Sequence, residues 1–370
     1  MKAILRESRP PTFFVDKKGL VGIDSRVEKL KSHLAIGLND VRIIGIKGMG
    51  GIGKTTLARV AYNMVSIQFE ACSFIANVWE ESEKYGLQKL QQRLLKDLLM
   101  EGEFNIQNVE NGALVIKERL CRKKILLVLD GVNQLDQLKN LAGDDDWFGP
   151  GSRIIITTRD EHLLMMHKVD DIYEAKGLNY VEALHLFKSK AFGKDHLAEH
   201  YLELSQEFVH YANGLPLAIE VLGSFLYNKS IDEWKNALDR LKEFPERQIF
   251  IVLKTSFDGL RDEVKEIFLD IACFFNHMAR DFVEEILHSF GLYPNIGLRE
   301  LIDNSLLKLH GNQLWMHDLL QEMGREIVRK ESPHDPGKRS RLWLPKDVEN
   351  VLNRNTVRDY LKCLRIFLIL

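Results

Sequence analysis

The stretch Gly48-Met49-Gly50-Gly51-Ile52-Gly53-Lys54-Thr55 decides the fold. A β-branched run, Val41–Ile46, leads into it, and a helical pattern, Thr56–Val65, leads out. Glycine reaches backbone conformations closed to other residues, so successive N–H groups can turn inward on one anion. The N-terminus of the following helix adds partial positive charge, and a lysine at this spacing reaches the outer phosphates. Between a strand and a helix, G-x-x-x-x-G-K-[ST] is a phosphate-binding loop. Gly48, Gly50, Gly51, Gly53, Lys54, Thr55 and Thr56 are the candidate nucleotide-binding residues, and Thr55 supplies a first oxygen for Mg2+.

Such a loop needs a second, acidic partner for the metal. Ile125-Leu126-Leu127-Val128-Leu129-Asp130 supplies it, an apolar strand ending in a carboxylate. Asp130 is the second candidate Mg2+ ligand and the candidate catalytic residue; the alternative is an ordinary buried strand capped by a turn aspartate. Many ATPases with this loop place an acid directly after that aspartate to orient the attacking water. Here the next residue is Gly131, which predicts slow hydrolysis. Arg159, after Thr157-Thr158 at the end of the next run, could sense a γ-phosphate through a forked contact. The alternative for Arg159 is a surface salt bridge.

Working outward, the runs Val41–Ile46, Cys72–Val78, Ile125–Asp130 and Arg153–Thr158, with a weaker Asp171–Ala175, alternate with helical stretches. That pattern predicts an α/β domain around a parallel sheet over residues 21–175, after a linker at 1–20. Helical spacing over Tyr180–Phe192, Glu199–Ala212 and Leu217–Tyr227 predicts a helical bundle over 176–245. A third unit, 246–330, reads as helices at Ile249–Asp258, Asp262–Phe274, Asp281–Ser289 and Gly297–Ser305. A hairpin turning at His310-Gly311-Asn312 and a last helix from His317 to about Arg329 complete a winged-helix pattern. The tail, 331–370, shows no period before its apolar end at 364–370.

Composition narrows the classes further. In 370 residues, 45% are hydrophobic and 28% charged, as in ordinary globular chains. A net charge of −2 gives no global field toward nucleic acid or anionic lipid. Cys72, Cys121, Cys273 and Cys363 are widely spaced, which argues against zinc or a disulfide framework and for a reducing compartment. No apolar run reaches the ~18 residues of a membrane span, and the N-terminus is charged too early for a signal peptide. The expectation is a cytoplasmic protein, with the nucleus as a second location.

The motifs together resemble the NB-ARC ATPase family, in particular plant disease-resistance receptors of the nucleotide-binding, leucine-rich-repeat type. After the phosphate loop and Asp130 come Gly151-Ser152-Arg153-Ile154-Ile155-Ile156-Thr157-Thr158-Arg159, Gly214-Leu215-Pro216-Leu217 and Met316-His317-Asp318, in the family's order. Phe268-Leu269-Asp270-Ile271-Ala272-Cys273-Phe274-Phe275 resembles the variant of the subfamily with an N-terminal TIR domain. The resemblance implies an ADP/ATP switch. Val21 and Ile23 would border the adenine, Pro216 would close the site, and His317 would approach the β-phosphate. Each has a structural alternative: Pro216 as the start of a helix, Asp318 as an N-cap, His317 as a satisfied structural histidine. Only 47 residues precede Gly48, too few for a TIR domain, and leucine-rich repeats are not seen, so the expectation is a fragment or a truncated product. Self-association, or association with full-length receptors, is the partner expectation alongside adenine nucleotide.

The competing reading is an ATPase coupled to a winged-helix DNA-binding regulator. Its recognition segment, Gly297–Leu309, carries Arg299, Glu300, Asp303 and Lys308, which cancel. A groove-reading helix shows a basic face, so nucleic acid is not the expected partner. No H-E-x-x-H pair suggests metal catalysis beyond Mg2+.

Overall fold

Strands made largely of Ile, Leu and Val need cover on both faces, and the runs at 42–47, 125–132 and 153–158 receive it. A computed structural model describes residues 19–100, 104–193, 201–242 and 248–353. The strands are β1 (Arg42–Lys47), β2 (Ala71–Ile75), β3 (Ile125–Val132), β4 (Arg153–Thr158) and β5 (Asp171–Glu174). They form one parallel sheet in the order β2-β3-β4-β1-β5. Period-two alternation sends Leu127 and Leu129 into one core and Leu126 and Val128 into the other. The second core lies under helices Ile23–Leu34 and Lys54–Val65, the first under Leu87–Leu99, Val109–Leu120 and Leu135–Leu141.

Arg153 anchors the sheet at the end away from the phosphate loop. Its guanidinium is 1% exposed and donates to the carbonyls of Leu34, Ala35, Leu38 and Asp40 and to the Asp40 carboxylate. A buried charge is tolerated because it is paired and its donors are answered. The loop between the first helix and β1 is thereby fixed to the start of β4.

The chain divides into two compact units, Met1–Lys176 and Gly177–Leu370. In the second, helices Tyr180–Ala191, Leu202–Ala212, Pro216–Leu226 and Ile231–Lys242 gather around Trp234, which is 1% exposed. Phe187 and Phe208 meet it edge-on at 5.8 and 5.7 Å, and its Nε1–H donates to the Leu226 carbonyl. The sequence reading did not separate the last of these helices from the end of the bundle.

The winged-helix part comprises helices Gln248–Asp258, Asp262–Asp270, Arg280–Ser289, Pro294–Asp303 and Asp318–Glu331, with a hairpin of β6 (Lys308–His310) and β7 (Gln313–Trp315). One helix departs from expectation. Asp262–Asp270 does not continue as α-helix but opens into a π-helical segment, Ile271–Phe275. The Ala272 carbonyl accepts from Gln321 Nε2 and Arg325 Nε, at 3.2 and 3.1 Å. Gly324 lets the last helix approach, since a Cβ there would stand 2.6 Å from Cβ of Ala272.

The tail also departs from its aperiodic reading. Residues 333–353 contain a short 3-10 turn, Pro336–Lys338, and a helix, Pro345–Asn353. Arg341 is 2% exposed and pairs with Asp270 at 2.6 Å and Glu266 at 2.9 Å, while Arg339 pairs with Asp347 at 3.0 Å. The apolar end at 364–370 and most of the N-terminal linker lie outside the described residues. Among the described residues no helix is long and apolar enough to cross a membrane.

Candidate nucleotide-binding site

Ligands of open parallel sheets gather at the carboxyl ends of the strands. Here β1, β3 and β4 deliver the predicted residues to that edge. After β1 the loop turns through Gly48, Gly51 and Gly53, with φ of 151°, 77° and 95°, values that side-chain-bearing residues rarely adopt. Gly53 caps the helix Lys54–Val65, so Lys54 and Thr55 stand in its first turn, with Thr56 next. The Lys54 ammonium is held by the carbonyls of Gly48 and Met49, at 2.8 and 3.0 Å. This folds the positive charge back over the loop where phosphate oxygens would lie.

Asp130, near the end of β3 and 1% exposed, accepts the Thr55 hydroxyl at 2.9 and 3.0 Å through its two oxygens. The Thr157 hydroxyl of β4 donates to Oδ1 at 2.7 Å and itself accepts the Gly131 N–H at 2.9 Å. Gly131 has φ of 75°, and the β3–β4 register shifts between Leu129 and Val132. That combination is a β-bulge, which bends a strand and re-aims a side chain. Gly131 is thus a conformational requirement of the turn as well as the place where an acid is missing. Asp136, a second carboxylate downstream, is exposed in the helix Leu135–Leu141.

Arg59 follows Thr55 by four residues and is half-buried, its guanidinium over the Phe74 ring at 5.6 Å. Burial lowers its pKa, and the charge of Asp130 partly restores it. The sequence reading missed Arg59; the signal was a charged residue one turn beyond Thr55 in an otherwise apolar helix face. Arg159 is exposed just beyond β4. Val21 is half-buried, while Ile23 is 8% exposed and belongs to the apolar core. Arg26 donates to the Gly22 carbonyl at 2.6 Å and to that of Lys176 at 3.5 Å, so the Val21–Ile23 turn is fixed beside the exit of β5.

The donor set suits Mg2+. Thr55 and Asp130 present hard oxygens in mutual contact, and no cluster of three or more acidic, His or Cys groups stands ready for another metal among the described residues. Mg2+ is usually held by one or two protein oxygens with phosphates and water completing its shell.

Residues 23–197 match the NB-ARC domain model, and residues 261–332 match the winged-helix domain of Roq1-like disease resistance proteins. The chain carries an NB-ARC domain followed by a Roq1-like winged-helix domain, and its homologues are plant disease-resistance proteins. It is 47% identical over 334 residues to disease resistance protein RUN1 of Vitis rotundifolia, covering 90% of this chain and 25% of that one. To the TMV resistance protein N of Nicotiana glutinosa it is 47% identical over 347 residues, covering 92% and 30%. The chain therefore spans only a quarter to a third of these relatives. Among solved structures, a signal transduction ATPase with a tetratricopeptide repeat sensor from Pyrococcus horikoshii matches with a TM-score of 0.51 at 18% identity, over 94% of this chain and 46% of that one. That likeness concerns the fold.

The remaining NB-ARC candidates belong to the second unit, where their visible roles are structural. Pro216 is the first residue of its helix, after Asn213 and Gly214 with φ of 46° and 69°. Leu217 and Val221 of that helix enter the winged-helix core, and Ser224 bonds Ser305 at 2.7 Å. Glu220 on the same face meets Lys308 at 3.0 Å and Lys190 at 3.8 Å. Burial pushes the Glu220 carboxyl up, but Lys308 and Lys190 hold it below the ordinary carboxylate value.

His317, not Asp318, is the N-cap of the last helix. Its Nδ1 accepts the Leu319 N–H at 3.1 Å, which assigns the ring proton to the other nitrogen in this tautomer. An unprotonated imidazole nitrogen can meet an orphan helix donor as an aspartate would. Asp318 becomes the first helical residue.

Proposed function

We propose that this chain is the nucleotide switch module of an intracellular plant immune receptor, acting in the cytoplasm or nucleus. ADP would hold a resting state, and exchange for ATP would release it for assembly with further copies or with longer receptors. The observation that carries the reading is the contact of Thr55 and Asp130 beneath a glycine loop that grips Lys54. Loop N–H groups and Lys54 would bind the phosphates, and Thr55 and Asp130 would hold Mg2+. The metal supplies charge neutralisation across the β- and γ-phosphates.

Slow turnover belongs to the same proposal. Gly131 has no side chain to orient water, and Asp136 is exposed on its own helix. Losing a positioned base lowers rate by ~10²–10⁴-fold while phosphate binding stays intact. A tightly held nucleotide that is rarely hydrolysed suits a switch better than a motor.

Purified protein should carry adenine nucleotide, mainly ADP, released on denaturation and identified by chromatography of the supernatant. Lys54→Arg should be empty, because a planar guanidinium cannot place a point charge inside the loop. Wild-type protein that carries none and takes up no added ADP would end the switch reading.

A further inference from the structure

The geometry points to Thr157 as a positioning residue for Mg2+-dependent nucleotide binding, the group that keeps Asp130 aimed when Thr55 turns to the metal. The inference rests on the nucleotide reading and goes beyond it, because Thr157 is not among the residues that reading assigns to the phosphates or the metal. Three observations converge on its hydroxyl. It donates to Asp130 Oδ1 at 2.7 Å, the shortest of the three hydroxyl contacts to that carboxylate given above. It accepts the Gly131 N–H at 2.9 Å, closing the bulge that the backbone ladder leaves open. The residue is 1% exposed, so bulk water does not compete for these two bonds.

The division of labour follows from what one hydroxyl can do. A threonine hydroxyl has one proton and two lone pairs. Thr55 gives that proton to Asp130 in this structure, yet its oxygen is the one the metal needs. Thr157 has no such second duty. Its proton goes to the carboxylate, and a lone pair serves the neighbouring amide, so carboxylate and bulge are fixed by the same atom. Partners that orient a metal ligand typically contribute 10- to 100-fold to metal affinity. The hydroxyl matters here, whereas the methyl of Thr157 is replaceable.

Binding of a fluorescent ADP analogue, measured with Mg2+ and again in EDTA, tests this on the intact chain. Thr157→Val should lose about 10- to 100-fold of the affinity that Mg2+ adds, with EDTA affinity within about twofold of wild type. Thr157→Ala should behave the same way and stands in if the valine variant folds poorly. Thr157→Ser, which keeps the hydroxyl, should retain the Mg2+ gain. An undiminished Mg2+ gain in both hydroxyl-free variants overturns the assignment. So does an equal loss in both buffers, which would make Thr157 a packing residue. Wild-type protein that binds in neither buffer overturns the nucleotide reading and this inference with it.

Discussion

Asp130 and Asp270 are both buried carboxylates, 1% and 5% exposed, one in each unit, and their surroundings answer them differently. Asp130 receives hydroxyl protons from Thr55 and Thr157, neutral donors that fix its direction, and the half-buried Arg59 guanidinium feels its charge. Asp270 receives the guanidinium of Arg341, a full opposite charge at 2.6 Å. The first arrangement keeps negative charge available to a cation beside the phosphate loop. The second consumes it to fasten residues 333–353 onto the winged-helix part. A buried acid is therefore not a functional mark in itself; the chemistry of its partner separates the two cases.

The sharpest way to break that contrast is to remove the guanidinium. Arg341→Met should destabilise the second unit by about 3–5 kcal/mol, because Asp270 is left buried without its counter-charge. Urea unfolding followed by tryptophan fluorescence reads this, and a shift below about 1 kcal/mol would mean that the pair is not coupled to folding. Glu220 offers a third carboxylate and a smaller effect, since burial and the lysines push it in opposite directions. The lysines win, and its folded pKa lies below that of an ordinary glutamate, so its charge stabilises the fold above the ordinary glutamate range. This contribution should fade as pH falls through the lowered folded value, and Glu220→Gln should remove that part of the acid sensitivity. Smallest in stability is Asp130→Asn, which keeps an acceptor for both hydroxyls. Its melting curve should stay within about 0.5 kcal/mol of wild type, while the Mg2+ gain in nucleotide affinity disappears.

What the sequence made legible follows the same line between local and distant causes. Strands β1 and β4 lie within one residue of the runs Val41–Ile46 and Arg153–Thr158, because a strand buried on both faces must be apolar along its whole length. Gly48, Lys54, Thr55 and Asp130 were readable for a similar reason: phosphate chemistry fixes their spacing. Their meeting at one sheet edge then follows from the order β2-β3-β4-β1-β5. Thr157 was visible only as part of a motif, since its partners are 26 and 27 residues away in sequence. The Arg341–Asp270 pair spans 71 residues, and no local period in 331–353 announces it. His317 displaced Asp318 as the cap because a helix can begin one residue earlier than a residue-type preference suggests.

The π-helical segment at Ile271–Phe275 also acts as a phase setter. An α-helix turns by about 100° per residue, so one residue of widening rotates everything beyond it by about that angle. Asn276 stands directly after the segment, where its amide donates to the Met316 carbonyl at 3.1 Å and its oxygen accepts the Met316 N–H at 2.7 Å. Deleting one residue between Ile271 and Phe275 would restore ordinary α hydrogen bonding and improve the helix taken alone. The same deletion would swing Asn276 away from Met316 and deprive Gln321 and Arg325 of the Ala272 carbonyl. The local defect is what keeps the hairpin and the helix that His317 begins in step with the rest of the winged-helix part.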